Sequence, residues 1–307
     1  MSFAFGMRHI LKNILIYTLF WLQFVLFQQS KLKASIASTD EFYHLVETSV
    51  TESFDNQFLL LKNYLKSHYD DERVYLKLLE RYIAYNKLPD AYDFFHTLTT
   101  NPKFSHYSYW MLAKISMLQS DPNRAFEAFT QTLKDRLPSY LLLKDIVKFD
   151  HQYSGKLSLL NLLQKRVLTK NYQKVVSAFV SYSNIKYGQA VELFKKVPQE
   201  GSENLILLQI FGRCQYSLSY YDKADSLWRV GLKIARQRGD LYFQAQFLSN
   251  LGVLAKANEA YDNALSYYDS AYAITQRIDE LYLKQLITGN RANLAKWTRD
   301  YEKSLNL

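Results

Sequence analysis

Residues 254–265 read LAKANEAYDNAL, and 40 positions later residues 294–305 read LAKWTRDYEKSL. The two stretches align without a gap and share an opening Leu-Ala-Lys, a central Tyr and a closing Leu. Self-similarity at such a period marks a chain built by stacking one supersecondary unit, because a unit of that size cannot bury its own apolar face. Moved back by 40, the pattern sets Gly252 on Gly212, Tyr261 on Tyr221, Ala264 on Ala224 and Tyr268 on Trp228. Further upstream the step shortens to 34: Ala190 and Phe194 precede Ala224 and Trp228 by that distance, as Ala91 and Phe95 precede Ala125 and Phe129.

Composition agrees with helices. Among 307 residues there are 9 Gly and 5 Pro, under half the usual share of roughly 12% for the two together. Sheets and phosphate-cradling loops need such residues at every turn. The 25 Tyr and 19 Phe supply core material and argue against disorder.

The spacing of the repeats resembles the tetratricopeptide family. Its unit is a helix–turn–helix with a Leu-Gly pair in the first helix, an aromatic opening the second, then Ala, a further aromatic four places on and a small residue three after that. In the Leu251-Gly252 unit those places hold Tyr261, Ala264, Tyr268 and Ala271; in the Phe211-Gly212 unit they hold Tyr221, Ala224, Trp228 and Gly231. The resemblance implies an all-α, right-handed solenoid of helix pairs, with a 34- and then a 40-residue period. It also implies a small residue where two helix axes approach closely, and an aromatic filling the space against the next repeat. The pattern weakens upstream. Residues 139–170 keep helical spacing without the Ala or Gly signature, and residues 40–68 form a partial unit with Phe54, Phe58 and Leu61 on its second helix. The expected organisation is therefore residues 1–37 as a signal or anchor, 38–185 as degenerate helical repeats and 186–307 as well-formed repeats. The last of these is incomplete: its second helix opens near Tyr301 and ends at Leu307, with no polar capping helix after it.

The N-terminus carries its own signal. Arg8, Lys12, Lys31 and Lys33 are the only charges before residue 38, and an apolar run from Ile14 to Phe27 lies between them. A basic start, a short apolar run and small residues at Ser35 and Ala37 form the layout of a secretory signal cleaved before Ser38. The alternative is an uncleaved membrane anchor through residues 8–27. The expected location is periplasmic or at the cell surface.

The rest of the chain balances 34 basic against 29 acidic residues, a surplus of 5 once those four are removed from 38. With no Lys/Arg run, that is no nucleic-acid footprint. Cys214 is the only cysteine, which excludes a disulfide framework and an all-cysteine metal site. The histidines, His9, His44, His68, His96, His106 and His151, are never spaced four apart, and no phosphate-loop or nucleophile-elbow motif occurs. Asp70-Asp71-Glu72 reads as a helix cap. These observations point to a non-enzymatic chain with no cofactor and no metal.

What remains is the groove. The resemblance implies that the first helix of each pair lines a concave face and touches a peptide. Carried over, the candidates are Gln209, Arg213 and Tyr216; Ser249, Asn250 and Lys256; and Asn290, Asn293 and Lys296. An Asn amide at the place of Asn250 and Asn290 pairs with an extended peptide backbone, or else bonds a neighbouring helix. The matching upstream places, Tyr107, Trp110 and Lys114 and then Tyr172, Val175 and Tyr182, make a greasier surface that packs against its neighbours. The leading expectation is an exported scaffold that binds a protein or peptide segment. The alternative is the extracytoplasmic sensor portion of a truncated, membrane-anchored signalling protein.

Overall fold

The computed structural model describes residues 39, 41–49, 52–134, 138–153, 158–165, 170–197, 204–278 and 280–305. The expected signal or anchor, residues 1–37, lies outside the described residues. All regular structure among the described residues is helical. Helix α1 spans 41–49. It is followed by α2 (Phe54–Ser67), α3 (Glu72–Ala84), α4 (Leu88–Leu98), α5 (Pro102–Leu118), α6 (Pro122–Thr132) and α7 (Tyr140–Gln152). Then come α8 (Leu159–Gln164), α9 (Lys170–Ser183), α10 (Tyr187–Phe194), α11 (Leu205–Ser217) and α12 (Tyr221–Gln237). The last three are α13 (Leu241–Ala257), α14 (Tyr261–Ile278) and α15 (Leu281–Leu305). Odd-numbered helices pair with the even-numbered helix that follows, and each pair packs on the next, giving an all-α solenoid.

Local chemistry starts and stops these helices. Ser53, Asp71, Asn101, Asp121, Ser139, Asn204 and Asp240 each accept a hydrogen bond from a backbone N–H two or three residues on, which satisfies a donor the helix itself cannot. The turns inside five of the pairs are one device repeated. A residue with left-handed φ stands at Asn86, Ser120, Ile185, Ser219 and Glu259. The next N–H bonds the carbonyl five residues back, as from Lys87 to Tyr82 at 2.8 Å and from Ala260 to Ala255 at 2.9 Å, a closure that pairs a carbonyl the helix end leaves open. The step grows from 34 to 40 because the late helices are longer, 17 residues in α12 against 11 in α6.

The aromatic places do something other than expected. Trp228 and Tyr268 lie within their own pairs, over Gly212 and Gly252; a Cβ at Gly252 would fall 2.5 Å from the Tyr268 ring. The packing between pairs uses the next small residue instead: Phe247 of α13 presses on Gly231 of α12, where a Cβ would overlap its ring. Ala224 and Ala264, at the helix crossings, are fully buried, as are Trp228, Phe247 and Tyr268. Burying each such ring contributes on the order of 2–3 kcal/mol.

The final unit corrects a second expectation. No turn forms before Tyr301; α15 is one helix from Leu281 to Leu305. In α13, Ala245, Leu248 and Leu251 are buried, whereas the places 40 residues later are Gln285, Thr288 and Arg291. With those polar replacements the places that pack on a returning helix in α13 are not apolar in α15, and the helix runs on. Gln285 and Thr288 lie exposed.

The ends of the array also meet. Tyr43 on α1 donates to Asp240 Oδ1 at 2.8 Å and accepts from the Tyr242 N–H at 3.2 Å. Glu47 pairs with Arg277 at 2.7 Å, and Lys77 on α3 donates to the Ile278 carbonyl at 3.2 Å. The first two units are closed against the turns on either side of the seventh.

Ile185 gives a direct test of the turn device. It is β-branched, holds φ 61 and is 67% exposed, so its backbone cost is offset by little packing. Ile185→Gly is expected to stabilise the fold by about 1 kcal/mol, read as a higher midpoint in urea unfolding.

Candidate functional site

Closure forms a partly open cavity of about 900 Å3. Helices α1, α3, α5 and α7 form its walls through Phe42, Leu76, Tyr107, Trp110 and Leu141. The first turns of α11, α13 and α15 close it with Leu205, Tyr242 and Tyr282. Most of its charges are already paired. Arg73 forks onto Asp71 at 2.7 and 2.8 Å while its guanidinium stands 4.9 Å from the Phe42 ring centre. Lys77 meets Glu80 at 2.8 Å. Asp145 accepts from Lys114 at 2.7 Å and from the Trp110 indole at 2.9 Å.

Two lining groups stand apart. Glu72 follows the cap residue Asp71, and its side chain is bonded by Ser139. Its Oε2 is buried without a partner. Burial pushes its carboxyl up to about 7, against the smaller lowering effect of the Ser139 bond. Lys144 has no ion pair among the described residues. Its side chain is exposed to water, and the protein packed around its stem lowers its pKa by desolvation. The charges of Arg213, Lys114 and Lys148 lower it further, against the raising effect of Asp145. At the closing contact, burial raises both Tyr43 and Asp240, so the phenol keeps the proton it donates.

The groove residues expected from the sequence fall into three groups. Gln209 is buried, and its carbonyl accepts from the Trp228 indole at 3.4 Å; the half-buried Tyr216 ring lies 5.4 Å from Tyr221 and 6.0 Å from Trp228. Both belong to the packing of α11 on α12. Arg213 is exposed, and its charge acts on Lys144 and Tyr182, so it joins the α7–α9 side. The remaining six lie along α13 and α15. Asn290 donates to the buried Ser249 hydroxyl at 3.4 Å, and Lys256 donates to exposed Asn293 at 2.9 Å while standing 5.6 Å from the exposed Trp297 ring. Lys296 is exposed. Asn250 Nδ2 is buried without a partner.

Of the upstream places, Tyr107, Trp110 and Lys114 line the cavity. Tyr172 donates to the Pro138 carbonyl at 2.7 Å, and Val175 is buried. Cys214 is fully buried, and burial pushes its thiol up to about 12, which leaves it inert.

No family model and no curated protein matches the chain. Solved structures do. The TPR2AB domain of yeast Sti1, in its pHSP90 complex, is 10% identical over 87% of this chain and 99% of that one, with a TM-score of 0.37. A tetratricopeptide repeat protein from Parabacteroides merdae is 13% identical over 82% and 99%, at 0.42. YrrB, a tetratricopeptide protein with an unusual peptide-binding site, is 14% identical over 75% and 97%, at 0.31. At these values the likeness carries no statement about ligands. The fold is of tetratricopeptide type on its own geometry, in the paired helices, the repeated turn and the ring-on-glycine contact.

Among the described residues no group of His, Cys, Asp and Glu is placed to hold a metal ion, and no helix is long and apolar enough to cross a membrane. Glu72 and Lys144 were not singled out as site residues by the sequence. Glu72 sits in a capping triplet, and Lys144 is one of several polar positions of α7, so neither carries a local signal.

Glu72 makes stability depend on pH. Its folded value, about 7, lies above the ordinary 4.5, so the fold binds the extra proton and loses stability as pH rises between those values. Glu72→Gln should therefore stabilise the protein at pH 8 by up to about 3 kcal/mol, with the gain fading to nothing near pH 4.5. Thermal melts of both proteins across that range check it.

Proposed function

We propose that this chain is an exported, non-catalytic interaction scaffold that holds an extended peptide segment on the face shared by α13 and α15. The observation that carries the reading is the Asn250 amide. Its N–H donors are unspent on the same helix as Lys256, which itself bonds Asn293 and stands over Trp297, whereas a peptide backbone offers a carbonyl every residue. Lys256 and Lys296 favour an acidic segment, and Trp297 offers an exposed ring for an apolar side chain. Exposed cations are individually weak, so affinity comes from several contacts and falls with salt.

The binding test uses immobilised libraries of extended acidic peptides. Asn250→Ala with Lys256→Ala is expected to weaken the peptides held by the wild type about tenfold, a loss of roughly 1.4 kcal/mol, with an unchanged melting temperature. Equal retention by the folded variant overturns the site.

The export half of the proposal rests on the basic and apolar layout of residues 8–37. Mass analysis of the protein from its native host is expected to give an N-terminus near Ser38. An intact Met1 or Met7 in the soluble cytoplasm overturns export.

A further inference from the structure

Helix α12 turns one face outward, and none of its residues lines the cavity. That face is basic. Residues 226–239 hold Arg229, Lys233, Arg236 and Arg238 and no acid. Forty positions on, in α14, the places of Arg229, Val230, Lys233 and Arg236 hold Asp269, Ser270, Ala273 and Gln276, all exposed. Solvation of the same face is met there without a cation. The helix dipole favours Arg236, in the last turn, but does not reach back to Lys233 and Arg229. Arg229 pairs with Asp225 at 2.6 Å and donates to the Tyr267 hydroxyl at 3.1 Å. Lys233 and Arg236 are exposed and have no ion pair among the described residues. Alongside, α10 is followed by the exposed Lys195 and Lys196, and Glu192 feels both of them together with Lys223 of α12, which puts the charges of the two helices on one surface. Apolar groups stand among these cations. Val230 on the same face of α12 is 46% exposed, and Tyr220, 51% exposed, has its ring centre 4.5 Å from the Lys223 ammonium.

We propose that the outward face of α12, with the end of α10 beside it, is a docking surface for an anionic lipid bilayer. The cations meet the headgroup phosphates, and Val230 and Tyr220 enter the interface between them. A discrete small ligand needs a concave site that covers it, which the outer side of a helix does not offer. Lys and Arg lay their stems along apolar surface while their charged ends stay in water, an arrangement suited to a broad layer of phosphates rather than to one fixed anion. Attraction of that kind adds up over several cations and fades within a Debye length of the surface. Apolar side chains among the cations gain nothing from the phosphate backbone of a nucleic acid; they favour a partner with hydrocarbon beneath its charges. The surface is separate from the α13–α15 face as well as from the cavity, since it belongs to α10 and α12.

The test uses the full chain with an environment-sensitive fluorophore on one introduced cysteine, Cys214 being buried. One label stands on α12 through Ser226→Cys and a control stands on α6 through Glu127→Cys, both at exposed places. Vesicles of phosphatidylcholine with about one third phosphatidylglycerol are expected to shift the α12 label's emission to the blue, and vesicles of phosphatidylcholine alone to leave it unchanged. The α6 label should stay unchanged in both. Lys233→Ala with Arg236→Ala is expected to weaken the response about thirtyfold while helical circular dichroism is retained. Raising salt from about 0.1 to 0.5 M should remove most of it without any substitution in the face. The label reports contact at α12 itself, so a chain held at the vesicle by residues 8–27 alone gives no shift. Absence of a shift with the anionic vesicles overturns the proposal. So does an equal shift with neutral vesicles, an equal shift of the α6 label, or a response that survives in the folded double variant. Should that variant fail to fold, the salt and lipid dependence of the unsubstituted face decide the matter alone. A shift caused by polyglutamate or duplex DNA and not by anionic vesicles would give the face to another polyanion and overturn the lipid assignment.

Discussion

A hydrogen bond from Tyr43 to Asp240 joins residues 197 apart in sequence, in a fold whose other packing is almost wholly between neighbours. In an array of helix pairs, each unit supports the next and nothing in that logic encloses space. Asp240 is also the N-cap of α13, accepting from the Phe243 N–H at 3.1 Å. One carboxylate therefore starts a helix and fastens α1 across the array. Glu47 with Arg277 and Lys77 with the Ile278 carbonyl repeat the arrangement one unit further on. Because these contacts bind the turns of late units to the side chains of early ones, the first turns of α11, α13 and α15 are brought round to face α3, α5 and α7. The cavity is a consequence of that meeting.

The helices themselves were legible because their causes are local. Gly252 and Tyr268 are 16 residues apart, and so are Gly212 and Trp228, which is the spacing that lays a ring from the second helix on the first. The capping residues could be read in the same way, Asp71 before Glu72 and Asn204 before Leu205. Closure has no such signature. Tyr43 and Asp240 belong to different repeats at no fixed period, and neither is unusual among its neighbours in sequence. Glu72 shows the difference most plainly. Read locally it is an acid in the first turn of a helix, where the backbone favours it. Only the arrival of α7, with Ser139, and of the closing helices makes it a buried acid with an idle oxygen.

The last helix departs from the repeat pattern for a related reason. The match of residues 294–305 to 254–265 is strong along the chain, and by that measure the same turn belongs at 299. What decides whether a turn forms is the face that the returning helix would bury. That face is set by the residues before the matching stretch, where Gln285, Thr288 and Arg291 replace Ala245, Leu248 and Leu251. Similarity in one register concealed a change of polarity in another. Gain of polar side chains at three successive contact places removes several kcal/mol of burial by the usual scale of about 25 cal/mol per Å2, more than the hydrogen bonds of one turn device return.

The α13–α15 face and the cavity differ in how they came to hold unspent polar groups. On α13 and α15, Asn250 stands in a repeating helix position, and its neighbours Ser249, Asn290, Lys256 and Asn293 are already linked across the two helices. That face is the product of one local pattern used twice. In the cavity, Glu72 owes its idle oxygen to the meeting of separate units without any shared phase, and Asp71 and Asp145 near it are both paired. A buried acid left with one oxygen unpartnered bears a continuing cost in stability. Such a cost is usually found where a fold has been shaped around something other than itself.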